Sequence, residues 1–225
     1  MTSLERVSIP GEGFSVPGVI LTPQQVEGAA VIVPGYGGNK EELLGLAWRI
    51  AVAGIAACAI DLRGHGEHSL ALDENVALDV TAAIHYCSRY GKVTTIGHSL
   101  GGRLALLSGA DYAIGVSPAL NTVFSDPTQA MITKLRSYRV REKHPGINFE
   151  ILRQIPQFAR QPERPAAILY GSRDVPEIVN AAAQLKQEGV PVNEIAGAFH
   201  SDIFFLEETF AVIGKRLKAW YGGPR

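Results

Sequence analysis

The sequence predicts an α/β fold: a doubly wound, mostly parallel sheet with helices on both faces, in a single domain spanning residues 1–225. Three observations carry this. Short apolar runs such as residues 29–34 (AAVIVP) and 55–61 (IAACAID) have the unbroken hydrophobicity of strands buried on both faces. Between such runs, apolar residues recur at helical spacing, as in Leu43, Ala47, Ile50 and Gly54. The connections are short, and strands alternating with helices at short connections build a parallel sheet.

The elements follow in order. Two β-rich segments, 4–9 and 16–21, open the chain and are separated by Pro and Gly turns. After the strand at 29–34, its helix and the strand at 55–61, Val76, Val80, Ala83 and Cys87 mark a second helix. Residues 92–97 (KVTTIG) are a β-branched strand, followed by a helix over about 100–109 and a strand at 112–117. Residues 166–170 form the next strand. The helix after it puts Ile178, Ala182 and Leu185 on one face and stops at Gly189, in the position of a C-cap. The last strand covers 190–195, and Leu206, Phe210, Ile213, Leu217 and Trp220 form the stripe of a closing helix.

One segment breaks the rhythm. Residues 119–164 are polar, proline-containing and charged, and they lie between two strands, which predicts a small cap or lid inserted in the sheet topology. The segment holds eight Lys or Arg against four Asp or Glu. That excess hints at an anionic group passing near it, although a solvated helical surface is the plainer reading.

Composition narrows the function classes. Hydrophobic residues make up 46% and charged residues 19%, an ordinary globular balance. A formal net charge of −1 gives no pull toward nucleic acid, which is set aside as a partner. The two cysteines, Cys58 and Cys87, form no disulfide framework, and no Cys/His cluster has metal spacing, so neither cofactor nor metal is expected. The longest apolar stretch, 50–60, is too short to span a bilayer, and residues 1–10 lack the apolar core of a signal peptide. No membrane partner is expected, and the cytoplasm is the expected compartment.

The sharpest local feature is Gly97-His98-Ser99-Leu100-Gly101. A serine on a tight strand-to-helix turn is exposed at the carboxyl end of the sheet, and the crowding of that turn leaves room only for glycine two residues to either side. The pattern occurs by chance often enough that its context decides: a β-branched strand before it and a helical run after it. The following helix aims its free N–H groups at the site, and the Leu100 N–H is placed to stabilise an oxyanion. A serine there could also serve merely as a helix cap.

Serine is a weak nucleophile and needs a base, itself oriented by a third group. His200 follows the last predicted strand and Asp174 the strand before it, so with Ser99 all three lie on loops at the carboxyl edge of the sheet. Asp202 and Asp126 are rival acids, one on the same turn as His200 and one on the lid. Among the other histidines, His98 reads as structural, with its side chain leaving the turn in another direction. His65 and His68 are placed to rim the pocket, His85 on a helix surface, and His144 on the lid. Residues 34–38 (PGYGG) come straight after a strand, and glycines there let backbone N–H groups approach a developing charge. The second oxyanion donor is assigned to the Tyr36 N–H, with the Tyr36 ring lining the pocket; a simple Gly-rich turn is the bland reading.

Taken in order, PGYGG (34–38), DLRGHGE (61–67), GHSLGG (97–102), GSRD (171–174) and AFH (198–200) make the sequence resemble the α/β-hydrolase superfamily over nearly the whole chain. Its flavour resembles small bacterial serine esterases and peptidase-like hydrolases with a reduced cap. The 61–67 stretch is similar to the family's D-x-R-G-x-G loop, which implies a structural role buttressing the nucleophile turn. Dienelactone-hydrolase relatives use cysteine and haloalkane dehalogenases aspartate where this chain has Ser99. Phe199 stands where many relatives carry glycine, which implies a narrowed pocket.

The resemblance implies an acyl-enzyme mechanism acting on a small-molecule ester or thioester, with water as the usual acceptor. The alternatives are an acyltransferase on the same scaffold and a catalytically silent binding protein, since fold alone does not guarantee function. The basic excess of the lid raises a CoA thioester as a substrate, to be read by Arg139 and Arg141.

Overall fold

The structure, a computed structural model, describes residues 2–222; residues 1 and 223–225 lie outside the description. The strands are β1 (Ser3–Pro10), β2 (Ser15–Thr22), β3 (Ala29–Val33), β4 (Ala56–Ile60), β5 (Val93–His98), β6 (Tyr112–Val116), β7 (Ala166–Arg173) and β8 (Val192–Phe199). They form one eight-stranded sheet in the order β1-β2-β4-β3-β5-β6-β7-β8. β1 pairs antiparallel with β2, and β2 antiparallel with β4; every other neighbouring pair is parallel.

Alternation along the buried strands divides the core into two layers. Val31 and Val33 of β3 pack with Cys58 and Ile60 of β4 beneath Val80 and Ala83 of α2 (Ala77–Cys87) and Leu104 of α3 (Leu100–Leu107). Ala30, Ile32, Ala57 and Ala59 face the other way, against Ala47 and Ile50 of α1 (Leu44–Val52) and Ile213 and Leu217 of the closing helix (Glu207–Tyr221). Fully burying a Val, Leu or Ile side chain is worth about 1.5–3 kcal/mol, so both helical layers are held chiefly by apolar contact. Cys58 and Cys87 are free and buried. No helix among the described residues is long and apolar enough to cross a membrane.

The sequence-predicted strands match except at the far edge, where β7 and β8 each run further toward the carboxyl side than expected. β8 is an edge strand, and Asn193, Glu194 and Gly197 on it are not buried, so no apolar run marks its course. The two strands are joined closely at Gly171, where a Cβ would stand 2.3 Å from the Ala198 carbonyl oxygen. Their pairing then shifts register before Arg173 meets Phe199. This extension carries the chain to Asp174 on one strand and His200 on the other.

Between β6 and β7 lie α4 (Asp126–Arg136) and α5 (Ile147–Gln154). Both ends of that segment are gripped by Arg103 of α3, whose side chain is fully buried. Its Nη1 donates to the carbonyls of Ala119, Leu120 and Asn121, and its Nη2 to those of Ile155 and Pro156. Burial pushes this guanidinium below its ordinary range, and the carbonyl dipoles compensate the charge.

Candidate active site

The nucleophile turn joins β5 to α3 at Ser99, which has φ 54° and ψ −116°. Such a conformation costs a non-glycine residue about 1–3 kcal/mol and persists only where its surroundings enforce it. Here the Ser99 N–H donates to the Val116 carbonyl at 3.0 Å, and its own carbonyl accepts from Ala119 at 3.0 Å and Arg103 at 3.1 Å. The flanking glycines are steric requirements. A Cβ on Gly97 would stand 2.1 Å from the Gly101 oxygen, and one on Gly101 2.3 Å from the Pro34 oxygen.

The three expected side chains come together at this turn. His200 Nε2 lies 3.0 Å from Ser99 Oγ, and His200 Nδ1 lies 2.8 Å from Asp174 Oδ1. Burial pushes the Asp174 carboxyl up, but His200, Ser117 and the Val175 N–H hold it below its ordinary range. Asp202 instead accepts from the Phe199 N–H at 2.8 Å, capping the turn that carries His200. Asp126 sits at the first position of α4, with no bond to the imidazole among the described residues.

Of the two expected N–H donors, Leu100 lies on this turn and Tyr36 on the turn after β3. Leu100 opens α3, so its N–H is one of the helix's free first-turn donors. Residues 35–38 close through the Gly38 N–H to the Gly35 carbonyl at 2.9 Å, with Gly37 at φ 76°. That closure leaves the Tyr36 N–H without an acceptor among the described residues. A Cβ on Gly35 would stand 2.9 Å from His98 Nδ1 and 3.1 Å from Ser99 Cβ, so only glycine lets the Tyr36 turn approach the serine this closely.

Several residues gain roles that the sequence did not reveal. Ser117, fully buried at φ 45°, donates its hydroxyl to Asp174 Oδ2. His98 points at the base rather than away from it, its Nε2 2.8 Å from the His200 carbonyl and its ring 4.8 Å from the His200 ring. Burial, and then the nearby His200, pushes His98 down to about 3, so it is a neutral imidazole that donates to that carbonyl.

His65 and His68 do not rim the cavity; both are fully buried in the loop after β4. In that loop Asp61 accepts from Lys40 Nζ at 2.6 Å, in an ion pair with both side chains fully buried, and from the Glu67 N–H at 2.9 Å. The His65 ring stands edge-on to Tyr36 at 6.1 Å. None of the loop's hydrogen bonds among the described residues reaches 97–101, so the element it braces is the Tyr36 turn rather than the nucleophile turn.

Ser99 and His200 open into a cavity of about 700 Å³. Its walls are mainly apolar, with Phe124, Met131 and Leu152 from the 119–164 segment facing Val175 and Phe204. The Tyr36 ring lines it too, while the Tyr36 hydroxyl donates to Glu142, and burial with that partner pushes the phenol well above its ordinary value. Among the described residues no group of three or more His, Cys, Asp or Glu could hold a metal ion.

A model of the alpha/beta hydrolase family matches residues 30–212. The chain belongs to that family. Among solved structures, this α/β-hydrolase is similar to an esterase from Pyrobaculum calidifontis, at 21% identity and TM-score 0.71, over 97% of this chain and 85% of that one. It is similar to Est1E from Butyrivibrio proteoclasticus, solved with ferulic acid bound, at 17% identity and TM-score 0.73 over 95% and 97%. It is also similar to the carboxylesterase EstE1, cloned from a metagenomic library, at 18% identity and TM-score 0.73 over 99% and 90%. No curated protein matches this α/β-hydrolase. At such identities the likeness is one of fold.

Proposed function

We propose that this α/β-hydrolase is a serine hydrolase that cleaves a carboxylic ester or thioester of a small to medium acyl group. The observation that carries the reading is the hydrogen-bonded chain from Ser99 Oγ through His200 to Asp174, with spacings of 3.0 and 2.8 Å. Ser99 Oγ attacks the carbonyl carbon while its proton passes to His200 Nε2. The N–H groups of Tyr36 and Leu100 take the charge on the carbonyl oxygen, and Asp174 holds the imidazole with its proton on Nδ1. Collapse expels the alkoxide or thiolate, which receives the proton from His200. Water, deprotonated in turn by His200, attacks the acyl-enzyme, and the acid leaves as Ser99 regains its proton.

Residues 119–164 are the cap in this reading, supplying the apolar wall against which the acyl chain lies. The apolar lining and the volume of about 700 Å³ suit a single acyl group with its leaving group. The test is labelling with a fluorophosphonate probe mapped by peptide mass, alongside hydrolysis of p-nitrophenyl acetate, butyrate and octanoate. Labelling at Ser99 with turnover, both lost in Ser99→Ala, is the expected result. A folded protein that neither labels nor turns over would overturn the reading and leave the silent binding protein in its place.

A further inference from the structure

Half of the eight basic residues of the 119–164 segment are paired within the protein. Arg139 pairs with Glu42, Arg141 Nη1 and Nη2 donate to the carbonyls of Gly66 and His68, and Lys143 pairs with Asp73 and Glu74. Arg164 donates to the carbonyls of Ala110 and Leu106. Arg139 and Arg141, the residues from which the sequence suggested CoA recognition, are therefore committed to holding the segment in place.

Arg136 is different. It is the last residue of α4, half-buried, and it lines the same cavity as Ser99. Among the described residues its side chain has neither a hydrogen bond nor an ion pair. Its aliphatic stem lies across the turn that carries Tyr36: a Cβ on Gly37 would stand 2.9 Å from Arg136 Cβ and 3.1 Å from Arg136 Cδ. Its charge is felt in the site, contributing to the depressed basicity of His98.

The other charges on the cavity wall leave this cation uncompensated. Glu42 is neutralised by Arg139, and Asp174 is occupied by His200 and Ser117. Arg173 adds a second positive charge at the exposed end of β7, with its guanidinium over the Phe199 ring at 4.3 Å. A guanidinium on an apolar cavity wall with no partner from the protein is free to meet an anion carried by a ligand. Its planar fork of N–H donors matches a carboxylate in bidentate geometry.

We infer that the substrate carries a free carboxylate in addition to the bond cleaved, and that Arg136 binds it. The inference rests on the ester-hydrolase reading of the same cavity. It replaces a plain alkyl ester with a half-ester of a dicarboxylic acid, or with an ester whose leaving group bears the acid.

The experiment compares three esters in the wild type, Arg136→Gln and Arg136→Lys. They are p-nitrophenyl butyrate, mono-p-nitrophenyl glutarate with the acid on the acyl side, and 4-butyryloxybenzoate with the acid on the leaving side. The quantity read for each acidic ester is its kcat/KM divided by that for p-nitrophenyl butyrate. One of the two ratios is expected to fall about tenfold or more in Arg136→Gln through KM, to recover partly in Arg136→Lys, and to shrink as salt is raised. The ester whose ratio falls says which side of the scissile bond holds the acid. Ratios unchanged in Arg136→Gln would overturn the inference while leaving the hydrolase reading intact. If the wild type turns over none of the three, the hydrolase reading fails separately, and calorimetry with glutarate decides the carboxylate site. Binding lost in Arg136→Gln would support it, and binding absent or unaffected would overturn it.

Discussion

Ser117 and Asp174 are joined through the carboxylate oxygen that His200 leaves free. The Ser117 hydroxyl donates to Oδ2, while His200 Nδ1 and the Val175 N–H both meet Oδ1 at 2.8 Å. Ser117 directly follows β6 and its N–H donates to the Leu169 carbonyl at 2.7 Å, so the acid is held from the neighbouring strand's end as well as its own. Ser117 is thus a positioning residue. Ser117→Ala is expected to lower kcat for p-nitrophenyl butyrate about tenfold, the value of a hydrogen bond to a charged group. It is also expected to move the acid limb of the pH–rate profile upward, because Asp174 loses one of the donors holding its carboxyl down. A stability loss with an unmoved profile would reduce Ser117 to a packing role.

The backbone at Ser99 is strained, and relief of strain is measurable. Ser99→Gly and Ser99→Ala are both expected to abolish turnover, but only glycine relaxes the positive φ. The glycine variant is expected to exceed the alanine variant by about 1 kcal/mol in unfolding free energy, after its greater loss of chain entropy is subtracted. That corresponds to about 2–4 °C in Tm for a chain of this size. Scanning calorimetry of the pair checks the order.

Asn148 of α5 is 3% exposed and lines the cavity, and its Oδ1 is buried without a hydrogen-bond partner among the described residues. A buried acceptor left without a partner costs about 1–3 kcal/mol. Asn148→Leu, close in volume, is expected to raise Tm and to shift the p-nitrophenyl ester profile toward longer chains. A lower Tm would mean that the amide is satisfied by water in the free protein.

Stability is expected to fall with acid in a window set by His98. Burial and the neighbouring His200 hold its folded value down to about 3, below the 6.5 of an unhindered imidazole. The unfolded chain therefore binds more protons than the folded one between those values. The stabilisation is complete above about 6.5 and is lost as pH falls toward 3; Asp174, also depressed, adds to the loss at the acid end. Urea midpoints measured from pH 7 to pH 4 are expected to decline, and His98→Asn to flatten the decline.

What could be read from the sequence follows physical lines. Strands buried on both faces, such as β3 and β4, announce themselves as apolar runs because every position meets a hydrophobic layer. β8, wetted along its edge, does not. Ser99, Asp174 and His200 were legible because each follows a strand at the same edge of a parallel sheet. Ser117 was not, since a serine before Pro118 reads as an ordinary turn and its partner lies 57 positions away. Arg136 was hidden among eight basic residues, and it is set apart only by being unpaired and lining the cavity at once. Opposite signs of the same difficulty apply to His98, whose direction depends on a backbone carbonyl that no side-chain pattern encodes.

The grip of Arg103 on 119–121 and 155–156, to either side of α4 and α5, touches only main-chain carbonyls. A socket of that kind is indifferent to the side chains plugged into it, and it sits one helical turn from Ser99 on the same helix. The ends of the stretch from 122 to 154 are thereby anchored whatever its sequence, while Arg139, Arg141 and Lys143 tie down its middle. Changes at solvent-facing positions between those ties leave the anchorage on the Ser99 side untouched.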